Sequence, residues 1–454
     1  MKIDRRTIAL LLIIALEGFA VLAAELVAMR QTISFVGSGS DTFAIIIAAV
    51  LIPIAFGYQA GGRFTQRQKN GSYLSIRKKL IKNITIAAAF LIPALSYFIA
   101  MFFFYGVGKI GVHNNLIQLT LYCLLFICPP VYLLGQTVPL ISNYFSKQKR
   151  AEITGSILCM STLGSFCGSI ITTLFLMQYI GLHNTVTFIF VVLLVPVLIL
   201  SRKSTRDLTM VMISIIGVAG ILNSPQLMAS MDIVKNNKYS TMMVFDDDDG
   251  ITHLMINNND SSMYGPNGEK HTYIEYAEKI TIEALPQDAQ PKDVLIIGAG
   301  GFTFGHNDEK NNFVYIDIDN DLKKVSEQYL LKEPLKANKS FYALPARAYL
   351  NGTDKKFDVI LLDAYLGGLS IPEHLVTLEF FEQIKTHLKD DAVLVTNFIV
   401  SPNFNNAFSK NIDNTLRAVF PYVSRTDTED EWDIWTTSKV KHSNFMYVYK
   451  HHVE

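Results

Sequence analysis

The stretch DVLIIGAGG, residues 293–301, indicates how the second half of the chain folds. Its aliphatic run is typical of a strand buried on both faces, and the glycines that follow permit a tight turn. Three further runs of this kind follow: FVYIDID (313–319), FDVILLDAY (357–365) and DAVLVTNFI (391–399). Helical stretches separate the strands, among them DLKKVSEQYLL (321–331) and LEFFEQIKTHL (378–388). The alternation predicts a doubly wound, Rossmann-like α/β domain over residues 291–454.

Acidic residues close two of these runs. Asp317 and Asp319 end the second, and Asp363 ends the third. Ligands of doubly wound sheets bind at the carboxyl ends of the strands, so the three acids predict a binding site at that edge. An acid after the second strand usually bonds ribose hydroxyls, and Asp317 occupies that place.

The glycine turn belongs to the same predicted site. Gly298, Gly300 and Gly301 would let the backbone approach a bound molecule closely. GAGGFTFGH nevertheless lacks the spacing of the phosphate-binding fingerprint, so the turn alone is weak support for a nucleotide.

Residues 225–290 form a smaller predicted region. KYSTMMVFDDDDGITHLMINN (238–258) is typical of two strands joined by an acidic turn, and HTYIEYAEKITIEAL (271–285) has a helical period. Asp246–Asp249 could be taken for a calcium site, but the spaced ligands of a calcium loop are missing, which favours a solvated turn. No metal site is predicted.

The first half of the chain has a different composition. Half of all residues are hydrophobic, the mean hydropathy is +0.26 and the formal net charge is zero. Apolar runs long enough to cross a bilayer lie at about 8–29, 41–60, 84–108, 116–140, 153–178, 184–201 and 208–224. They predict a membrane domain over residues 1–224 with about seven transmembrane helices. The last run is the weakest, and an interfacial or buried helix is its alternative. The composition excludes a disordered chain and offers no argument for a nucleic-acid partner.

Basic residues in the loops predict the orientation. Sixteen lysines and arginines fall on one side of the predicted spans, and two fall on the other. Cytoplasmic loops are enriched in Lys and Arg, so the N-terminus should be cytoplasmic. An odd number of spans then places the C-terminal domain outside the cytoplasm.

Cysteine usage restricts the chemistry further. The four cysteines lie at positions 123, 128, 159 and 167, all inside apolar runs. The predicted soluble half therefore has neither a disulfide framework nor a thiolate metal site.

The order of motifs resembles the spermidine synthase (aminopropyltransferase) family: hairpin, Tyr-x-Glu, strand and glycine turn, acid-x-Asp, then an Asp ending a later strand. EGFAVLAAELVAMR (17–30) and GQTVPL (135–140) resemble segments of membrane-bound spermidine synthase-like proteins. The resemblance implies a methyltransferase-like Rossmann fold, decarboxylated S-adenosylmethionine as donor and a diamine as acceptor. It further implies that Tyr273 and Glu275 lie on the amine side, that Asp317 holds ribose, and that Asp363 accepts an amine proton.

Several positions depart from that family pattern. Gly301 stands where the family has a substrate-contacting Asp, Leu366 replaces the second Asp of Asp-Ser-x-Asp-Pro, and Pro345 replaces the acid that contacts adenine. The hairpin Gln corresponds to Ser261 or Ser262. Buried polar groups of a nucleoside left unpaired would each cost about 1–3 kcal/mol, so the departures predict no nucleoside cofactor.

Three functions follow as hypotheses. The preferred one is an extracytoplasmic enzyme in which Asp363 deprotonates an amine and Glu275 holds the ammonium, without a nucleoside donor. Cyclisation of an N-terminal glutamine on an exported or membrane-attached polypeptide is an example. The alternative is an aminopropyl- or methyl-type transfer from an S-adenosylmethionine derivative by a cytoplasmic domain. The third is a non-catalytic, membrane-anchored binding module.

One further residue enters these hypotheses. His374, in LGGLSIPEHL, could serve as an acid or base with Asp363 and Tyr273, or it could be a surface or helix-cap residue. The expected partners are the lipid bilayer and an amine-bearing small molecule or exported polypeptide.

Overall fold

A computed structural model describes residues 5–64, 68–69, 72–73, 75–145, 147–283, 290–366, 370–401, 403–404, 406–431 and 443–450. The chain divides into two compact units. The first comprises Met1–Met231 with Asn236–Lys238, and the second comprises Asp232–Lys235 with Tyr239–Glu454.

In the residues that the structure describes, the first unit is mainly helical and also contains a two-stranded sheet of β1 (Gln68–Lys69) and β2 (Ser72–Tyr73). Its α-helices are α1 (Arg5–Val36), α2 (Ser40–Arg63), α3 (Ile76–Leu95), α4 (Tyr97–Lys109), α5 (Asn115–Tyr122), α6 (Cys128–Leu134), α7 (Thr137–Ser142), α8 (Lys147–Ile171), α9 (Gly181–Leu200), α10 (Arg206–Leu222) and α11 (Pro225–Ala229). Wider π-helical turns at Cys123–Ile127 and Thr172–Ile180 join α5 to α6 and α8 to α9, and a 3₁₀ turn at Lys203–Thr205 precedes α10.

Five helical segments in the described residues are long and apolar enough to cross a membrane, judged by length and composition. They are Arg5–Val36, Ser40–Arg63, Asn115–Ser142, Ile153–Leu200 and Lys203–Ala229. The pair α3 and α4, bent by 65°, passes the same test only when the two helices are taken together as one span. The break lies at Ser96, just beyond Pro93, whose ring cannot be accommodated in a regular helix without distortion.

The segment Ile153–Leu200 has 48 residues and would extend for about 72 Å as a straight helix, more than twice the thickness of a bilayer core. It reverses direction instead. Phe19 of α1 contacts both of its halves: the Phe19 ring lies 6.2 Å from the Phe188 ring, and the Phe19 carbonyl oxygen is 2.5 Å from where a Cβ of Gly168 would be. Gly181, with a φ of +81°, lies between the two halves. With this reversal, the predicted runs 153–178 and 184–201 lie on two separate helical arms of the segment, while the run 84–108 is divided between α3 and α4.

Helices α1 and α8 pack through glycines. A Cβ on Gly164 would lie 2.7 Å from the carbonyl carbon of Ala15, whereas a Cβ on Gly155 of the same helix would meet nothing within 4 Å. Glycine at such a position lets two backbones approach more closely than any side chain would permit.

Replacing Gly164 with Leu should therefore push α1 away from α8, since overpacking typically costs about 1–3 kcal/mol. We expect a lower melting temperature for the full-length protein in detergent, followed by intrinsic fluorescence. Gly155→Leu is the matched control and should melt like the wild type. Equal melting temperatures for both variants would contradict the close packing of α1 on α8.

The second unit contains two sheets. The smaller one has the order β3-β4-β5-β6, with β3 (Ile233–Asn236), β4 (Thr241–Asp246), β5 (Thr252–Ile256) and β6 (Asn259–Tyr264). The predicted hairpin is confirmed as β4 and β5, which pair antiparallel around the acidic turn. The predicted helix is α12 (Thr272–Thr281).

The larger sheet has the order β12-β13-β11-β10-β7-β8-β9. Its strands are β7 (Asp293–Ile297), β8 (Asn312–Asp317), β9 (Lys339–Ala343), β10 (Phe357–Leu362), β11 (Leu388–Val400), β12 (Ser424–Glu431) and β13 (Ser443–Lys450). The strands β7 to β11 run parallel, and β13 runs antiparallel to β11 and β12. Its helices are α13 (Asp321–Val325, continued by a π-helical turn to Leu330), α14 (Ala346–Asn351), α15 (Leu378–Thr386) and α16 (Ala407–Val419), and a 3₁₀ turn lies at Glu373–Leu375.

The larger sheet confirms the predicted methyltransferase-like Rossmann architecture. All four predicted strands are present, and their central residues are buried, as expected for strands covered on both faces. From β7 the sheet grows through β8 and β9 on one side and through β10 and β11 on the other. The strand order reverses between β7 and β10, which is where sheets of this class open a crevice for a ligand.

Candidate active site

Asp363 follows β10 directly and lies beside the glycine turn. Its backbone N–H donates to the carbonyl of Ile297, the last residue of β7, at 2.8 Å. Its carboxylate accepts two hydrogen bonds: one from Asn397 Nδ2 at 2.9 Å on Oδ1, and one from the Tyr273 hydroxyl at 3.1 Å on Oδ2. Each carboxylate oxygen is therefore oriented by a side chain from a different element, β11 or α12.

The surroundings of the Asp363 carboxyl group raise its pKa, so its carboxylate binds a proton more readily than an ordinary aspartate does. Burial raises the pKa of Asp363 above its ordinary value, while the hydrogen bonds from Asn397 and Tyr273 and the nearby His271 lower it in part. A carboxyl group with a pKa closer to neutrality exchanges protons more readily with an amine.

Tyr273 and Glu275 were expected on the same side of the site, and the structure separates them. Tyr273 is 3% exposed and lines the cavity, whereas Glu275 is exposed and accepts a hydrogen bond from the backbone N–H of Lys270 at 3.3 Å. Both residues lie in the first turn of α12, and residues two apart on a helix point about 200° away from each other. Glu275 therefore does not hold an ammonium in this cavity.

The glycine turn is as tight as its sequence indicates. Gly298 has a φ of +92°, and a Cβ there would lie 2.6 Å from the carbonyl carbon of Asp363. The Gly301 N–H donates to Ser262 Oγ at 2.7 Å. A Cβ on Gly300 would be 2.9 Å from Ser262 Oγ, and one on Gly301 would be 2.8 Å from Ser262 Cβ and would overlap Leu330. A side chain at position 301 has no room.

Asp317 and Asp319 both follow β8 but differ in their contacts. Asp317 accepts from the backbone N–H groups of Ala299 at 3.2 Å and of Asp319 at 3.0 Å, and burial raises the pKa of its carboxyl group to about 6. Asp319 is 4% exposed and accepts from the Ser240 hydroxyl and from the Asp321 N–H. Asp319 therefore braces the loop before β4, and Asp317 is the acid at the place expected to hold ribose.

The second unit has a cavity of about 220 Å³ at this edge of the sheet. Seven of the nine predicted site residues line this cavity: Gly298, Gly300, Asp317, Asp319, Asp363, Tyr273 and His374. Gly301, which follows Gly300 in the glycine turn, and Glu275 do not line it. His374 lies in the exposed 3₁₀ turn, and its carbonyl accepts from Arg347 Nε at 3.0 Å. Pro345 and Leu344 line the side where the family's adenine contact would lie.

Two further groups of the cavity were missed. Asn397, which orients Asp363, lies inside the predicted strand run DAVLVTNFI, where its polar side chain at the carboxyl end was a usable signal. Asp260 lines the cavity from β6 and contacts His253 Nδ1 at 2.8 Å. The sequence could not predict that Asp260 and Asp363 line one cavity, because Asp260 belongs to the smaller sheet and Asp363 follows a strand of the larger one.

The acidic turn shows the contacts of a solvated turn. Asp247 Oδ1 accepts from the backbone N–H groups of Asp249 and Ile251 at 3.0 and 2.8 Å. Among the residues that the structure describes, no group of three or more His, Cys, Asp or Glu side chains is placed to hold a metal ion.

The chain is similar in sequence to spermidine synthases and other polyamine aminopropyltransferases. Residues 274–428 match the spermine/spermidine synthase domain family. A polyamine aminopropyltransferase of Vibrio vulnificus is 32% identical over 136 residues, which are 28% of this chain and 44% of that protein. One from Pyrobaculum aerophilum is 28% identical over 236 residues, which are 48% of this chain and 74% of that protein. The match thus spans less than half of the Vibrio protein and about three quarters of the Pyrobaculum one.

A probable spermidine synthase from Corynebacterium glutamicum is 19% identical, with a TM-score of 0.38, over 47% of this chain and 77% of that one.

Proposed function

We propose that the second unit of this protein, which is similar to the spermine/spermidine synthase domain family, is an enzyme in which Asp363 activates a primary amine for attack on an electrophilic carbon. The observation that carries the proposal is the paired orientation of the Asp363 carboxylate by Tyr273 and Asn397 on the wall of a cavity. A base held by two hydrogen bonds, with a pKa raised by burial, suits proton abstraction from a bound ammonium.

The reaction begins with an ammonium, because alkyl amines are protonated near neutral pH. Asp363 takes one proton, the freed lone pair attacks the carbon, and the bond to the leaving group breaks with its electrons on that group. In the cyclisation of glutamine, a second proton of the amine passes to the amide nitrogen, which leaves as ammonia. Tyr273 and Asn397 hold the carboxylate in place during the proton transfer, so no reorganisation of the base is needed.

We further propose that the amine attacks a carbon of its own or a neighbouring molecule, without a nucleoside donor. Sites for drug-sized ligands usually measure about 300–1,000 Å³, and this cavity measures about 220 Å³. Leu330 and Ser262 fill the space at Gly301, Pro345 has replaced the adenine-binding acid, and Asp319 is held by Ser240. Cyclisation of an N-terminal glutamine fits such a site, because a tethered amine has a high effective concentration.

A location of the second unit outside the cytoplasm would favour this choice of substrate. We propose that the first unit crosses the membrane seven times, with the basic loops in the cytoplasm and the second unit outside it. S-adenosylmethionine derivatives are cytoplasmic metabolites in the family's chemistry, whereas exported polypeptides with free N-termini are present outside.

A second candidate keeps the family's transfer chemistry. Asp317 retains the place of a ribose-binding acid beside a tight glycine turn, which favours an aminopropyl- or methyl-type transfer from an S-adenosylmethionine derivative. This candidate requires a cytoplasmic domain.

Calorimetry and two assays on the full-length protein in detergent separate the candidates. Ammonia release from a peptide with N-terminal glutamine tests cyclisation, and methylthioadenosine release from decarboxylated S-adenosylmethionine with a diamine tests transfer. We expect ammonia release and no heat on titration with methylthioadenosine. Saturable heat together with methylthioadenosine release would establish transfer instead, and no turnover in either assay would contradict an enzymatic role with these substrates.

The pH profile offers a further prediction. The activity should rise with pH through an apparent pKa above the ordinary aspartate range, because Asp363 must be ionised to act as a base. Tyr273→Phe removes a hydrogen bond that stabilises the ionised form, so it should raise the pKa of Asp363 further and move this rise to higher pH. Tyr276→Phe is the control: its hydroxyl bonds Thr426 away from the cavity, and its profile should match the wild type. A Tyr273→Phe profile at unchanged or lower pH would contradict the assignment.

A further inference from the structure

We propose that Asp260, His253 and Asp247 form a proton relay that connects the cavity with solvent. Asp260 is the end of the relay that lines the cavity. The inference rests on the proposed function, because an amine that binds as an ammonium leaves a proton on Asp363. That proton must leave Asp363 before the next turnover.

The centre of the relay is the imidazole of His253 on β5. Its Nδ1 lies 2.8 Å from Asp260 Oδ2, and its Nε2 lies 3.3 Å from Asp247 Oδ2. The two ring nitrogens thus contact two different carboxylates. The Phe245 ring stacks on the imidazole with centroids 5.3 Å apart and an interplanar angle of 9°, so the ring is held in this orientation.

The outer end of the relay reaches solvent. The Asp247 side chain is 32% exposed, twice the exposed fraction of the His253 side chain at 16%. Backbone N–H groups of Asp249 and Ile251 occupy Asp247 Oδ1, which leaves Oδ2 directed at the imidazole. A proton that reaches Asp247 can therefore pass to water.

The inner end lies on the wall of the cavity that Asp363 also lines. Burial alone would raise the pKa of Asp260, but hydrogen bonds from His253 and His271 outweigh it and keep the pKa below its ordinary value. The pKa of Asp363 is shifted the other way. Two carboxyl groups in one cavity with pKa values shifted apart can divide the acid and base roles. Asp260 is ionised between turnovers, so it is ready to receive the proton that Asp363 gives up and to pass it to the imidazole.

His253 is suited to its place between two carboxylates. The hydrogen bond to Asp260 raises the pKa of His253, and Asp247 adds to the effect, while burial opposes it. The charged groups that face the imidazole in the described residues are these two acids, with His271 on the far side of Asp260 at 3.5 Å from Oδ1. An imidazole passes a proton by accepting one at one nitrogen and releasing another from the second.

The proton balance closes over one turnover. When the product is a lactam, two N–H bonds of the ammonium break. The first proton goes to Asp363, and the second goes to the side-chain amide nitrogen, which departs as neutral ammonia with the electrons of the broken C–N bond as the new N–C bond forms. The proton on Asp363 then passes through water in the cavity to Asp260, and the imidazole releases one proton to Asp247 for each that it accepts, so one proton per turnover reaches solvent.

The test uses the full-length protein and whichever of the two assays the wild type supports. His253→Ala should lower kcat by about 10-fold or more, a smaller loss than that of a direct base, and added imidazole should restore it. Asp247→Asn keeps the Oδ1 acceptor of the turn but cannot take a proton from the ring, and it should lower kcat in weak buffer. Asp249→Asn alters an exposed acid of the same turn and should leave kcat unchanged.

The outcomes separate the relay from the proposed function. Wild-type kcat in both His253→Ala and Asp247→Asn, with an inactive Asp363→Asn, would overturn the relay and leave the proposed function standing. A folded His253→Ala whose lost activity imidazole does not restore would assign the imidazole a structural role and also overturn the relay. An active Asp363→Asn, or a wild type without turnover in either assay, would overturn the proposed function and the relay with it.

Discussion

Asp363→Asn is expected to lower kcat by about 10²–10⁴-fold, the usual contribution of a general base. Asparagine has the size of aspartate and can still accept a hydrogen bond from Tyr273, but its amide cannot take a proton from an ammonium. The KM should change little, because the loss affects the proton transfer and not the shape of the cavity. Steady-state kinetics of the full-length protein in either assay measures both quantities.

Glu275→Gln is the matched control for this substitution. It makes the same chemical change on an exposed residue outside the cavity, so kcat should stay within about twofold of the wild type. An Asp363→Asn variant that folds and retains wild-type kcat would remove Asp363 from the mechanism. A large loss in Glu275→Gln would restore the role that the sequence had indicated for that acid.

Gly298→Ala is expected to cause the second large effect. A methyl group there would overlap the carbonyl oxygen of Asp363, and the φ of +92° already disfavours any residue other than glycine. Both costs together should destabilise the second unit by about 2 kcal/mol or more. The melting temperature should fall by about 4–8 °C, and the activity should fall as well, because the ends of β7 and β10 must move apart.

Gly268→Ala is the control that measures the cost of the positive φ without the steric overlap. Gly268 also has a positive φ, of +86°, but a Cβ there would only touch Asn307 Nδ2 at 3.4 Å. It should show the backbone penalty alone, a fall of about half the size with activity retained. Equal effects of Gly268→Ala and Gly298→Ala on stability and activity would show that β7 and β10 do not depend on close approach at Gly298.

The sequence predicted the features that depend on short segments. Buried aliphatic runs ending in Gly298, Asp317 and Asp363 have few alternatives to parallel strands, and parallel strands bring their ends to one edge. The family resemblance assigned Tyr273 and Asp363 to one site, but it did not specify the hydrogen bond between them. Strands without such a run were missed: KSFYA of β9 alternates between buried and exposed residues, because it lies at the edge of the sheet.

Features that depend on helical phase or on distant segments could not be predicted in the same way. Glu275 was placed beside Tyr273 because the motif was considered without the rotation of the helix that contains it. Asp260 meets His253 through the register of β5 and β6, and it meets the cavity only after two sheets have assembled. The break between the predicted runs 153–178 and 184–201 was visible in the sequence, but the positive φ of Gly181 at that break was not.

The choice between a nucleoside-free reaction and a transfer reaction depends on the side of the membrane on which the second unit lies. The direct measurement introduces Tyr422→Cys, at a side chain that is 90% exposed, into full-length protein whose four cysteines have been replaced. Ser204→Cys, in a predicted cytoplasmic loop, is the matched control. Intact cells are treated with a membrane-impermeant maleimide. The account predicts labelling at position 422 and protection at position 204 until lysis. Protection at position 422, reversed on lysis, would place the domain in the cytoplasm and contradict the proposed reaction in favour of transfer from an S-adenosylmethionine derivative.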